Sequence, residues 1–501
     1  MTIGSSGSNE TPLARQLARA SLAVDLVRLE ESVVAKAKIC LLDFLSCAFE
    51  ARHHPWSRQA IGIARHTENG ATIIGTSKLA TPGDAAFANA TLGHGLVRED
   101  MHSASICHHG VVIWPTLLAL SERTPLSGAT LLAAAIVGYE AGAQIGRALF
   151  NAHLARLYRP TGLVAPLGAA LAGSRALGLT EDAATSAVSI AANTSSGLNE
   201  WPHAGGSEMY FHPGFAARNA IAAIELAEAG AAASETILEG EAGLFAAYRR
   251  QAAPAGIRLF AGSEPEIMAV YNKPVPACNF AQTAAQAALR AARELKNPEE
   301  IEAVSILVPD AAARYPGCDP RGPYRNTLQA KMSIPFSVAA VLARGAIEET
   351  NDAAINDPKI LRLVERTELQ SDSSFTAAFP AQQGAEVSVG LRNGTTIRQR
   401  LDNVIAATPQ EIRTRFRQAA TDAIGGNRAH RLEELVDGCE RLPDSGVIAK
   451  QCRLEPAERL LRPASMMIEN KKMGDAMDKP EPMVPAASPR STSSRAMRGE
   501  R

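Results

Sequence analysis

The sequence contains no Cys-x-x-Cys pair. Its seven cysteines, Cys40, Cys47, Cys107, Cys278, Cys318, Cys439 and Cys452, are scattered and odd in number. That pattern argues against a disulfide framework or a four-cysteine zinc site and for reduced thiols used as small core residues. No stretch sustains the roughly 18 apolar residues without charge that a membrane span needs. The opening MTIGSSGSNETPLARQ has no apolar signal core, so a cytoplasmic protein is expected. Charge of one sign is also missing: 51 Lys and Arg face 52 Asp and Glu, a net charge of -1. Such a balance leaves no electrostatic footprint for nucleic acid or an anionic membrane. Internal repeats are absent as well.

What is present is a long chain of 501 residues, 46% hydrophobic, able to bury more than one core. Its dominant signal is alanine-rich helix with short connectors. SVVAKAKICLLDFLSCAFEA carries apolar residues at helical spacing, and GATLLAAAIVGYEAGAQIGRALF is apolar nearly all round, as expected of a helix buried on several sides. TEDAATSAVSIAAN opens with Thr180 as an N-cap and with acids in its first turn. After about Met268 the pattern changes. IEAVSILVP reads as a buried strand, and GAEVSVGLRNGTTIRQRL alternates on either side of Asn393-Gly394, a strong hairpin signal. The expected fold is mainly α with an α+β part: a large all-α helical domain plus a smaller α+β lid domain. The boundaries read as a flexible N-terminus 1–20, a helical domain 21–267, a lid 268–405, helices 406–464 returning to the helical domain, and a disordered tail 465–501 rich in Pro, Ser, Lys and Met.

Histidine is scarce, with 11 in all, yet His94, His102, His108 and His109 fall in one short run beside Glu99 and Asp100: TLGHGLVREDMHSASICHHGVVIWP. Imidazoles and carboxylates in such proximity suit proton transfer near neutrality. Apolar segments on both sides would seat this run against a core, where unpaired polar groups are costly. The alternative is an ordinary polar loop whose histidines satisfy backbone groups.

Several segments in shared order resemble the MmgE/PrpD family of 2-methylcitrate dehydratases and cis-aconitate decarboxylases. They are AKICLLDFLSCAFEA, the histidine-rich run, GYEAGAQIGRAL, RPTGLVAPLGAALAGSRALGLT, HPGFAARNAIAAIELAEAG, KPVPACNFAQTAAQAAL and AKMSIPFSVAAVLARG. The resemblance covers about residues 20 to 460. It implies an active site in the cleft between the helical and lid domains, usually in a homodimer. It also implies cofactor-free proton handling next to a carboxylate: loss of water, decarboxylation or epimerisation. The cysteine spacing for an iron–sulfur cluster is lacking, so side chains must run the reaction.

Residue by residue, the resemblance makes His108 the acid/base candidate, and Glu99 and Asp100 stand where the family has paired acids. His102 is a further catalytic candidate. His212 and Lys273 match family positions and, with Arg159 and Thr161, form the expected substrate-binding set. Departures are clear: Val97 replaces an aspartate, Arg159 the histidine before Pro-Thr-Gly, Met209 a lysine, Gln282 a frequent histidine and Phe336 a frequent tyrosine. Arg159 could restore the charge that Met209 removes, gripping a carboxylate at a helix start, or could simply pair with Glu99 or Asp100. No metal or cofactor is expected, and the partner is a small carboxylate substrate. The leading function is a cofactor-independent, dehydratase-type lyase on a small polycarboxylate, with decarboxylase or epimerase activity as the alternative. Two other classes stay open: a metal enzyme using His102, His108 and Asp100, and a binding or scaffold protein without catalysis.

Overall fold

The computed structural model describes residues 11–249, 251 and 256–454. The tail expected to be disordered, 465–501, lies outside the described residues, as do 455–464. The first helix, Leu13–Leu22, buries Leu13, Ala14, Leu17, Ala18 and Ser21, and packs on Glu181–Asn193. This corrects the expectation that 1–20 is flexible throughout, since apolar residues spaced three and four apart give this short segment a stripe to bury. Arg15 pins it through ion pairs to Glu181, Asp182 and Glu235.

The helical body is built on Glu31–Glu50, Pro82–His94, Gly110–Arg123, Gly128–Leu149, Pro160–Leu177 and His212–Glu228. Small residues let these helices approach closely: a Cβ on Gly168 would sit 2.6 Å from the Gly138 carbonyl oxygen, so the two central helices touch backbone to backbone. Thr180 caps Glu181–Asn193 by accepting from the Ala183 N–H, as its position predicts.

The α+β part carries a four-stranded sheet. Ile301–Val308 runs parallel to Thr367–Ser371 and antiparallel to Ala385–Leu391, which turns back as Thr396–Leu401. The hairpin turn lies where Asn393-Gly394 predicts it, with Gly394 at φ 82, a left-handed conformation that favours glycine. Helices Gln282–Glu294 and Ile334–Arg344 pack on the sheet and on each other. Helices Pro409–Ile424 and Gly426–Asp437 then return to the first part, where Phe416 meets Phe49 at 6.5 Å between ring centroids.

The two parts share a core. Val97, Trp201, Met209 and Tyr210 belong to the helical segment of the chain yet pack among the apolar residues of the sheet layer. Residues up to Leu454 accordingly group as one unit. Among the described residues, no helix is long and apolar enough to cross a membrane.

Candidate active site

The helix Pro82–His94 ends at His94, and the chain then loops through Val97 to Asp100 before Gly110 starts the next helix. Val97 adopts φ 55 and Ile106 φ 52, left-handed conformations that β-branched residues avoid. Two buried lysines from the α+β part hold this loop. Lys273 donates to the Val97 carbonyl, and Lys331 donates at 3.3 Å to that of Leu96.

The loop brings Glu99 between two imidazoles. His94 Nδ1 donates to Glu99 Oε1, and His108 Nδ1 lies 3.0 Å from the same oxygen and 3.0 Å from the Asp100 carbonyl. Arg159 Nη2 donates to His94 Nε2 at 3.2 Å, which requires that nitrogen to be unprotonated and sets His94 as the Nδ1–H tautomer. The same logic leaves the Nε2 lone pair of His108 free on the cavity that the ring lines. Burial pulls the His108 imidazole down to about 3, against the pull of Glu99, so it is neutral and able to accept a proton. Burial raises the Glu99 carboxyl, but the two imidazoles outweigh it and hold the group well below the usual carboxylate range.

Arg159 is the N-cap residue of Pro160–Leu177 and is buried. Its guanidinium touches His94 and Met209 Sδ, the latter at 3.5 Å, and has no carboxylate within ion-pairing distance among the described residues. The pairing with Glu99 or Asp100 that the sequence left open is not formed. Lys273 also lacks a carboxylate partner among the described residues, and burial brings its amine down to about 8. Two buried cations without counter-ions thus face one ionised carboxylate, a shortage of negative charge that an anionic ligand would fill.

Other expected site residues take different places. Thr161 Oγ1 accepts the His108 backbone N–H at 3.1 Å and so fixes the catalytic candidate from behind. Asp100 takes a hydrogen bond from Tyr139, and burial pushes its carboxyl up to about 7. It is not among the residues lining the cavity. His102 uses both ring nitrogens elsewhere, at 2.8 Å to Ser105 Oγ and 2.8 Å to Glu266 Oε2. His109 packs beneath the loop against Gly142, where a Cβ would stand 2.6 Å from its Nδ1. His212 lies beside Arg159 across Gly197, with its Nδ1 buried and unpartnered. His102 and Asp100 therefore do not join His108 as a ligand set. Among the described residues, the three groups whose donor atoms lie within 4.8 Å of one another are His94, Glu99 and His108.

The cavity is lined by Val97, Met101, Ile106, His108, Arg159, Cys278, Asn279, Phe280, Tyr315 and Met332, with a volume of about 10 Å³. A cleft of about 480 Å³ adjoins it and shares Ile106, Phe280 and Tyr315, and it also includes His153, Arg156 and Arg314. Cys278, Asn279, Phe280 and Tyr315 escaped the sequence reading. Cys278 and Asn279 directly follow Lys-Pro-Val-Pro-Ala, and that adjacency was the available signal. Gln282 clamps this turn, accepting from Val275 N–H at 3.0 Å and donating to the Val275, Ala277 and Cys278 carbonyls.

Comparison with known proteins gives a consistent picture. Residues 15–256 match the MmgE/PrpD N-terminal domain and residues 275–441 the MmgE/PrpD C-terminal domain. The chain is 25% identical over 446 residues to a cis-aconitate decarboxylase of Aspergillus terreus, covering 82% of this chain and 90% of that protein. A human cis-aconitate decarboxylase is 25% identical, with 84% and 90% covered. A 2-methylcitrate dehydratase of Salmonella typhi is 25% identical, with 74% and 80% covered.

Proposed function

We propose, from the premise that this chain belongs to the MmgE/PrpD family, that it is a lyase acting on a small polycarboxylate without metal or cofactor. The observation that carries this reading is the buried Arg159 guanidinium, which lines the cavity with His108 and has no carboxylate of its own among the described residues. A substrate carboxylate supplies the missing partner, and Lys273 adds positive charge nearby. His108 Nε2 then takes the proton from the carbon next to that carboxylate. Glu99, bound to His108 Nδ1, holds the ring in the required tautomer and stabilises the imidazolium that forms. Lys273 offsets the enolate-like charge developing on the substrate. The protonated His108 can give its proton to a departing hydroxide, completing loss of water.

Decarboxylation is the second reading, supported by the cis-aconitate decarboxylases among the relatives. In that case C–C cleavage releases carbon dioxide and leaves the electron pair on carbon, and His108, which must first take up a proton from water, delivers it there. Active enzyme as a homodimer, with its helical and lid parts separating to admit substrate, completes the proposal.

The test is turnover of the purified protein on a panel of hydroxylated and unsaturated di- and tricarboxylic acids, following both carbon dioxide and unsaturated product. Chelation should leave the activity unchanged. Turnover lost on chelation and restored by one divalent ion would move the reading to a metal enzyme on His94, Glu99 and His108. No turnover by a folded protein on any acid, with no binding of them, would leave a non-catalytic family member.

A further inference from the structure

Cys278 lines the cavity with His108 and Arg159, and its sulfur lies 3.7 Å from that of Cys318. Both residues are buried. Each is tied by its backbone to the same short segment. The Cys278 N–H donates to the Lys331 carbonyl at 2.8 Å, and the Cys318 carbonyl accepts from the Ile334 N–H at 2.9 Å. The rings of Phe280 and Tyr315, two residues after one cysteine and three before the other, pack at 5.2 Å. Those rings line both the cavity and the adjoining cleft. The two thiols are therefore held face to face by the fold, with Cys278 in the wall of the cavity.

We propose that Cys278 and Cys318 are an oxidative modification site, a thiol pair that peroxide converts to a disulfide in the wall of the cavity. The Cys278 thiolate attacks one peroxide oxygen, so that an S–O bond forms, the O–O bond breaks and hydroxide leaves as water. Cys318 then attacks the Cys278 sulfur. An S–S bond forms, the S–O bond breaks, and hydroxide departs with the Cys318 proton. Two thiols lose two electrons, and one hydrogen peroxide is reduced to two waters. The sulfurs must close from 3.7 Å to about 2.05 Å, within the reach of side-chain rotation and small backbone shifts.

The electrostatics single out Cys278, while burial and the hydrogen bond to Cys278 raise the Cys318 thiol. The hydrogen bond from Cys318 brings the Cys278 thiol down to about 7 against its burial, helped by the Phe280 N–H and by Lys273. Burial instead drives Cys40, Cys47, Cys107 and Cys452 well up, and Cys439 to about 12. Since the thiolate is the reacting form, Cys278 has the advantage over all five.

The inference rests on the proposed function only in calling the cavity catalytic, because its readout needs no turnover. Full-length protein is exposed to hydrogen peroxide, its remaining thiols are alkylated, and it is digested without reduction for mass spectrometry. Two of the seven thiols should disappear together, the peptides carrying Cys278 and Cys318 should be joined, and dithiothreitol should separate them. In Cys318→Ala the link should vanish, and dimedone should label Cys278 on the order of tenfold or more faster than any other cysteine. Survival of both thiols at a peroxide dose that oxidises methionines would overturn the proposal. So would links spread over other cysteine pairs, or dimedone labelling shared evenly in the variant. If catalysis is also assayed, oxidised enzyme should lose turnover and regain it on reduction; a fully joined enzyme with unchanged turnover would leave the site in place but overturn its position at the catalytic cavity.

Discussion

His108 and Arg159 occupy one cavity but carry different parts of the proposed reaction, so their replacements should separate kinetically. Arg159→Ala should act mainly through KM, because it removes a carboxylate grip made in ground and transition states alike. His108→Gln should lower kcat by about 10²–10⁴-fold with KM little changed. Steady-state kinetics on both variants checks this, and a His108→Gln enzyme with undiminished kcat would remove His108 from the mechanism. Glu99→Gln tests the residue that positions His108. Glu99 raises the proton affinity of the His108 ring against burial, so losing its charge should lower kcat and move the acid limb of the pH profile to lower pH. Much of this was legible in the sequence, since His108, Arg159 and Lys273 stand in recognisable segments. The role of His94 was not. It depends on Glu99 curling back to it and on Arg159 and Met209 arriving from distant helices, and such contacts leave no local pattern.

The loop from Gly95 to His109 is the element that organises the site, and the fold restrains it at both ends. Val97 and Ile106 each cost about 1–2 kcal/mol in their left-handed conformations, and the contacts around them must outweigh that cost. Lys331 is one such contact. Fully buried, it donates to the carbonyls of Leu96 at 3.3 Å and Pro276 at 2.9 Å, and pairs with Glu349 at 2.7 Å and Asp352 at 3.1 Å. Burial pushes the Glu349 carboxyl up to about 7 and raises Asp352 even with the lysine present. Lys331→Met should therefore cost about 3–5 kcal/mol, because it strands the buried Asp352 carboxylate beside the partly exposed Glu349. Denaturant midpoints should show a larger loss at pH 8 than at pH 5, where the stranded carboxylates can take up protons. The helices and the hairpin were readable from periodicity and turn residues. The strained loop was not, because nothing in Gly-Leu-Val-Arg-Glu announces a positive φ at valine.

At the scale of the whole molecule, buried and half-buried histidines shape its response to acid. Burial lowers His54 to about 4, His108 to about 3 and His212 to about 3, and lowers His94 and His109 as well. The unfolded chain binds protons on these rings from about pH 6.5 downward, while the folded chain does not. Their contribution to stability is thus full above pH 6.5 and is lost as pH falls toward about 3. Melting temperatures should drop steeply below pH 6, with proton uptake on unfolding; a flat profile from pH 7 to 4 would contradict the burial of these rings. Sequence patterning gave the division into helical and α+β parts, yet not the core they share through Val97, Met209 and Tyr210, since periodicity reports which face is apolar and not what it meets. The narrow cavity has one more outcome. At about 10 Å³ it has room for about one water, so a hydrogen carried by His108 meets little solvent to trade with until the walls part. Substrate recovered at half conversion from heavy water should therefore carry little deuterium at the reacting carbon. Each turnover proceeds with an isotopic memory, and rapid wash-in of label would reveal walls that open faster than the chemistry.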